Sequence, residues 1–145
     1  MSSPGGRNVD LTTLVARIPY AGLIGLQCLS VGDQYIFKLP ATEDNVGNPT
    51  LPAIHGGVIG GFMETAAILH LMSVAENDAV PKIIDFSLDY LRPGRLRDSF
   101  CQCRVIRQGR KIANVSIECW QTAQSEPIAM ARAHFLLPGS TPEKA

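Results

Sequence analysis

The amino-acid sequence predicts an α+β domain in which a curled antiparallel sheet wraps around one long central helix. Three observations carry this reading. Val58, Ile59, Phe62, Met63, Ala66, Ala67, Ile68, Leu69, Leu71 and Met72 cover every side of one helical run, and a helix apolar all round belongs inside a structure. Extended runs follow it with only short turn signals between them, which favours antiparallel neighbours. A hairpin precedes it. One curled sheet covers one side of such a helix, so the leftover apolar surface calls for a second subunit.

The elements follow in order. Residues 1–8 are a flexible lead, and Asp10 is positioned to cap a short helix through Leu11, Leu14, Val15 and Ile18 that Pro19 stops. A strand lies within Ala21–Ser30, Val31-Gly32-Asp33 turns, and Gln34–Leu39 is its hairpin partner. Pro40–Pro52, rich in Asn, Gly and Pro, reads as a loop. The long helix runs from about Gly56 to about Glu76 and ends at Asn77-Asp78. A four-strand meander closes the domain: Lys82–Leu91, Ser99–Arg107, Lys111–Thr122 and Ile128–Leu137, with turns at Arg92-Pro93-Gly94, Gln108-Gly109 and Ser125-Glu126-Pro127. Pro138–Ala145 reads as a solvated tail. The expected division is a lead with a short helix over 1–20, one domain over 21–138 and a tail over 139–145.

Bulk properties narrow the function. A chain of 145 residues fits one domain, and 46% hydrophobic against 18% charged residues allows a sizeable core. Thirteen basic and thirteen acidic residues give a formal net charge of zero, which argues against nucleic-acid binding but leaves room for a local basic patch. The start, Met1 to Arg7, has no apolar core of a secretory signal, and no apolar run approaches membrane-spanning length. Cys101 and Cys103 share a strand face, Cys28 and Cys119 are isolated, and no Cys/His spacing fits zinc. Reduced thiols in a cytoplasmic protein, without nucleic acid, membrane or metal as partner, are the expectation.

The chemistry concentrates in His55-Gly56-Gly57 and the helix they open. Glycines at a helix start leave backbone N–H groups facing outward, where an oxyanion can bind. Glu64 is the one carboxylate in the apolar part of that helix, and a charge there is costly unless something uses or pairs it. Donors that polarise a carbonyl, together with a carboxylate, are the ingredients of acyl chemistry. Glu64 either serves that chemistry or pairs with a buried cation. Gly56 and Gly57 fit oxyanion binding, while Gly60 and Gly61 fit close packing. His55 orients the loop through hydrogen bonds, with a direct catalytic role as the alternative. His70 and His134 have no partner visible in the sequence and read as structural, and Trp120 belongs to the core or an interface. Glu64 lies eight residues beyond Gly56, about 12 Å along the helix. One carbonyl cannot touch both, so if both act they come from two chains with antiparallel central helices.

The order of elements, His55-Gly56-Gly57 with Glu64 two turns on, the stretch Asp85 to Pro93 and the stretch Gly109 to Ala113 resemble the hotdog-fold thioesterases of the PaaI-like and 4-hydroxybenzoyl-CoA thioesterase type. The resemblance covers about Leu23 to Leu137. It implies hydrolysis of an acyl-CoA thioester by a homodimer or a dimer of dimers, with no metal and no cofactor beyond the CoA of the substrate. It implies that Gly56 or Gly57 polarises the carbonyl and that Glu64 is general base or nucleophile. Asn48, with Asn45 in reserve, takes the place of an amide that holds water or substrate. Arg107, Arg110 and Lys111 are either a solvated hairpin tip or a clamp for CoA phosphates, and Arg92 and Arg95 divide the same way. The chain departs from the pattern where relatives carry a water-holding hydroxyl: Ile83 and Ile84 start the following strand, and Ile68 stands one turn beyond Glu64. A non-catalytic acyl-CoA sensor, or a hydratase or dehydratase on the same fold, are the alternatives.

Overall fold

The computed structural model describes residues 11–32, 34–48, 50, 52–75 and 79–139. Asp10, Asp33, Glu76, Asn77 and Asp78, and with them the expected cap, part of the hairpin turn and the helix stop, lie outside the described residues, as do the lead over 1–8 and residues 140–145 of the tail. Two short helices open the fold, α1 (Leu11–Ala16) and α2 (Pro19–Ile24). Here the sequence expectation fails. Pro19 starts a helix instead of only ending one, because its missing N–H costs nothing in the first turn. Gly25 ends α2 with φ of 77°, a conformation glycine adopts without strain. The strand expected in Ala21–Ser30 therefore shrinks to β1 (Gln27–Val31), which pairs antiparallel with β2 (Gln34–Leu39).

The Pro40–Pro52 loop carries more structure than its composition shows. A 3-10 turn over Glu43–Asn45 leads into β3 (Val46–Asn48), and β3 pairs with β4 (Ala53–Ile54). The long helix α3 spans Gly56–Val74. Strands β5 (Lys82–Tyr90), β6 (Ser99–Gln108), β7 (Ile112–Trp120) and β8 (Ala129–Leu136) follow within a few residues of their expected bounds.

Their order corrects the simple meander. The main sheet runs β1-β2-β6-β7-β8-β5, so β5 pairs with β8 and not with β6. The segment after β5 is a crossing, not a turn. Leu91 and Arg92 N–H groups both donate to the Ile128 carbonyl, at 2.8 and 3.1 Å, and Ile54 N–H donates to the Gly94 carbonyl at 2.8 Å. A Cβ on Gly94 would stand 2.8 Å from Ile59 Cδ1, so a larger residue there would make the Ile59 side-chain end shift. The crossing delivers the chain to the far side of the sheet and leaves β5 as an open edge.

Helix α3 packs on β2, β6 and β7, and on α1 and α2. Phe62, Met63, Ala66, Ala67 and Leu69 are fully buried on it, against Phe37, Val115, Ile117 and Phe135 of the sheet core. By length and hydropathy α3 would also suit a membrane crossing, contrary to the sequence expectation. Here it is the core helix of the sheet. Cys101, Cys103 and Cys119 are buried, Cys28 is half-buried, and all four are free; burial pushes the Cys119 thiol up to about 12. Trp120 is buried and stacks on Phe100 with centroids 6.2 Å apart. Leu14 of α1 is 2% exposed and belongs to the same core cluster. Leu14→Ala is therefore expected to lower the global unfolding free energy by about 2–4 kcal/mol in urea titrations. A change below about 0.5 kcal/mol would place α1 outside the cooperative unit.

Candidate active site

The start of α3 is built around one histidine. His55 is the N-cap, with φ −59° and ψ 130°, and its Nδ1 accepts the Gly57 N–H at 2.9 Å. The Val58 and Ile59 N–H groups both donate to the His55 carbonyl, at 2.9 and 3.2 Å. The Gly56 N–H is left as the first-turn donor without an acceptor among the described residues. Of the two glycines the sequence offers as oxyanion donors, Gly57 is already engaged and Gly56 is open. The site's floor is tight. Tyr90 donates its hydroxyl to the Gly56 carbonyl at 2.6 Å, and the His55 N–H donates to the Asn45 carbonyl at 2.8 Å. A Cβ on Gly47 would come within 2.8 Å of His55 Cα, which is why β3 carries glycine there. Tyr90 and Gly47 escape a reading of sequence spacing alone, because their contacts span from 8 to 34 residues along the chain.

Asn45 is buried at 7% exposure, and its Nδ2 has no hydrogen-bond partner among the described residues. It lies directly under the helix start. The side chain of Asn48, the preferred water-holding amide of the sequence reading, lies outside the described residues.

Glu64 belongs to the side of α3 that the described residues leave open. Gly57, Gly60, Gly61, Glu64 and Ile68 stay half-buried or exposed, whereas the residues around them are largely covered. At 100° per residue these five fall within about 100° of arc. Glu64 stands about 40° from Gly60 and about 60° from Gly61 around the axis. Leu88 of β5 lies over Gly60, and Tyr20 of α2 lies over Gly61. Glu64 thus projects between the β5 edge and α2. Among the described residues it has no hydrogen bond and no ion pair, so the buried pairing that would explain it as structural is absent among them. Burial pushes its carboxyl above the usual 4.5.

The basic residues divide. Arg107, Arg110 and Lys111 line a cleft of about 520 Å³ together with Gly109, Ile112, Asn114 and His134. The sequence reading gave His134 no partner; its Nδ1 lies 2.7 Å from Asp85 Oδ1. Register explains the gathering, since Asn114 pairs with His134 and His134 with Asp85 across three neighbouring strands. Arg92 instead donates to the Pro127 carbonyl at 2.6 Å, and the Arg95 backbone is clasped by Gln121 at 3.0 and 2.8 Å. Both hold the β5–β6 crossing, apart from the cleft. His70 is mostly buried, its Nδ1 has no hydrogen bond among the described residues, and burial lowers its pKa. Among the described residues no three His, Cys, Asp or Glu side chains gather closely enough to hold a metal ion.

The family model described as Thioesterase superfamily matches residues 51–128, from just before the His55 cap to the end of the crossing's anchor at Ile128. The chain belongs to the thioesterase superfamily. A solved protein from Chromobacterium violaceum is 45% identical, with 89% of this chain and 90% of that one covered and a TM-score of 0.73. The PaaI protein of the Escherichia coli phenylacetic acid degradation operon is 20% identical over 90% of this chain and 91% of that one, with a TM-score of 0.75. A Bacillus halodurans protein solved with CoA is 19% identical over 91% of this chain and 93% of that one, also at 0.75. No curated protein sequence matches the chain. The hotdog architecture expected from the sequence is the thioesterase fold seen here, with α3 as its central helix.

Within this thioesterase fold, Glu64 carries a stability signature with a defined sign. Its carboxyl is raised in the folded state, so the folded protein binds more protons than the unfolded chain just above pH 4.5. Stability contributed by the protonated form is complete below that value and is lost as pH rises through the raised folded pKa. Glu64→Gln is expected to leave stability unchanged near pH 4 and to raise it at pH 7, read from paired denaturant titrations. A loss of stability at pH 7 would indicate a structural partner for the carboxylate.

Proposed function

We propose that the protein hydrolyses acyl-CoA thioesters, with Gly56 of one subunit and Glu64 of another forming each site. The observation that carries this is the pairing of a backbone donor and a half-buried carboxylate on one helix, both without a partner among the described residues and too far apart to share a carbonyl. Within one chain they are about 12 Å apart. Antiparallel packing of two copies through the open α3 stripe and the β5 edge would join each donor to the other's carboxylate, twice. Exposed Ile83, Ile84 and Tyr90 on β5 support that face as the contact.

The Gly56 N–H polarises the thioester carbonyl and takes the oxyanion as it forms, an effect worth about 3 kcal/mol for a good donor. Glu64 removes a proton from water as the oxygen attacks the carbonyl carbon. Burial makes its carboxylate a stronger base than a solvated one, which suits that task. The tetrahedral intermediate collapses, the C–S bond breaks, and the CoA thiolate leaves and is protonated. The cleft of Arg107, Arg110 and Lys111 supplies charge for the CoA phosphates. It lies near the end of β8 away from Gly56, about 17 Å along the strand from Ala129. Pairing of antiparallel copies would bring one subunit's cleft toward the other's helix start.

The composite site has a direct test. Gly56 sits at the first helical position and His55 before it is extended, so Gly56→Pro removes the N–H while keeping a backbone that proline tolerates, with the Tyr90 ring end, 3.3 Å from the added Cβ, giving by a few tenths of an ångström. Gly56→Pro and Glu64→Gln, each alone, are expected to lower kcat by at least about 100-fold with the fold intact. Co-refolding the two variants should restore about a quarter of wild-type activity, because half the dimers are mixed and each holds one intact site. No recovery, with mixed dimers verified by mass spectrometry, would end the two-chain arrangement. Near-normal turnover by Glu64→Gln alone would end the assignment of Glu64.

Replacing Arg110 and Lys111 together by Ala should raise KM for acyl-CoA several-fold and leave kcat within about twofold, since the nucleotide is remote from the reacting carbon. An unchanged KM, equally insensitive to salt, would make the cleft a solvated hairpin surface.

A further inference from the structure

The resemblance leaves the site short of a hydroxyl, since Ile83, Ile84 and Ile68 occupy the places where relatives carry one. The structure brings a hydroxyl to α3 beside Gly61, three residues before Glu64, from an element the sequence did not connect to α3. The hydroxyl end of Tyr20, the second residue of α2, lies against the bare backbone of Gly61. A Cβ at Gly61 would stand 2.5 Å from its hydroxyl and 2.6 and 2.8 Å from two of its ring carbons. Any larger residue at 61 would displace the ring. Gly61 and Glu64 are three apart on one helix, so their Cβ positions are about 5–6 Å from each other. The Tyr20 hydroxyl therefore lies about 3–8 Å from Glu64 Cβ, and the Glu64 charge acts on its phenol. Neither group has a hydrogen-bond partner among the described residues.

We infer that Tyr20 is the positioning residue for Glu64, its hydroxyl donating to the carboxylate and fixing the direction in which that carboxylate meets water. This rests on the reading of Glu64 as the base. Burial, and next the charge of Glu64, hold the Tyr20 phenol above its usual 10.0, so it keeps its proton and remains a donor wherever the enzyme works. The Glu64 carboxyl is itself raised by burial alone, and no charged group of α1, α2 or β5 among the described residues moves it. Tyr20 is the titratable neighbour that the fold supplies. Gly61 serves the same arrangement from below, by admitting the ring, which explains a second glycine beyond those that open the helix.

The test compares Tyr20→Phe, Gly61→Ala and Glu64→Gln with the wild type in acyl-CoA hydrolysis, beside a carboxyl carbon NMR titration of Glu64. Tyr20→Phe keeps the ring on Gly61 and removes only the donor. It should lower kcat about tenfold, the scale of one hydrogen bond to a charged group, with KM within twofold and the thermal midpoint unchanged. The Glu64 titration, and with it the acid limb of the kcat profile, should move to higher pH, because a donor that favoured the charged form is gone. Gly61→Ala, which evicts the ring, should reproduce the kcat loss and the titration shift. A Tyr20→Phe enzyme with wild-type kcat and an unmoved Glu64 titration overturns the inference, as does a change confined to KM. Should Glu64→Gln retain full activity, the reading of Glu64 as base fails by itself. The NMR arm then still decides whether Tyr20 donates to Glu64: a shift on Tyr20→Phe sustains the contact, and no shift overturns it.

Discussion

The rest of the structure depends on covering a nineteen-residue helix that is apolar on every side. Each neighbour is recruited to one part of its circumference. The sheet takes the face toward β2, β6 and β7, and the short helices α1 and α2 take another, bringing Leu14, Ala21 and Ile24 into the core. What no element among the described residues covers is a narrow stripe between α2 and the β5 edge, and that stripe holds Glu64. A carboxylate on a fully solvated face would be an ordinary one, and on the sheet side it would be intolerable without a partner. The half-covered stripe is where a carboxylate can stay ionisable and still be raised by dehydration.

Close approach of neighbouring side chains, rather than flexibility, is the common reason for the glycines of the site. Tyr90 lies over Gly56, Leu88 over Gly60 and Tyr20 over Gly61, each at a distance where a methyl group would press or clash. Gly47 and Gly94 serve the same purpose for the strand and the crossing that embrace the helix start. The Gly56 N–H owes its openness to the same economy of shape. His55 turns back to cap Gly57, its carbonyl takes the next two donors, and the first N–H is what remains, at the positive end of the helix dipole.

Local chemistry was legible in the sequence, and long-range partnership was not. The all-round apolar run located α3, and turn residues bounded β6, β7 and β8 because hairpin turns are encoded within a few residues. The place of β5 was not, since Arg92-Pro93-Gly94 looks alike in a turn and in a crossing, and only the bonds to Ile128 and Ile54 distinguish them. Pro19 can end one helix or begin the next, and the choice rested on Gly25 six residues later. Glu64 and the helix-start glycines stood out by contrast with their surroundings. The choice of Gly56 over Gly57 turns on a His55 side-chain bond, and Tyr20 on a helix-to-helix contact, neither of which leaves a mark in residue spacing. The cleft was half-visible: Arg107, Arg110 and Lys111 sit around one turn, but His134 joins them only through the register of β7 and β8.

The placement of charge along the long axis constrains how any such site could be completed. In one chain the open Gly56 donor stands where β5 ends, at Tyr90, and the basic cleft stands toward where β5 begins, beside Asp85. Glu64 lies between them. An acyl-CoA is a long molecule with its reacting carbon at one end and its phosphates at the other, so a carbonyl at Gly56 turns the nucleotide outward or along the stripe. A copy of the chain related by a twofold axis midway between Gly56 and Glu64, near Gly60 and the Leu88 that lies over it, reverses the order: its Glu64 would come to this chain's donor, and its cleft toward this chain's helix start. A parallel copy would set donor beside donor and cleft beside cleft, leaving each carboxylate about 12 Å from the nearest oxyanion site. For the proposed two-chain site, the antiparallel relation is the one that would join a donor to a carboxylate, on the positions of three features of one chain alone.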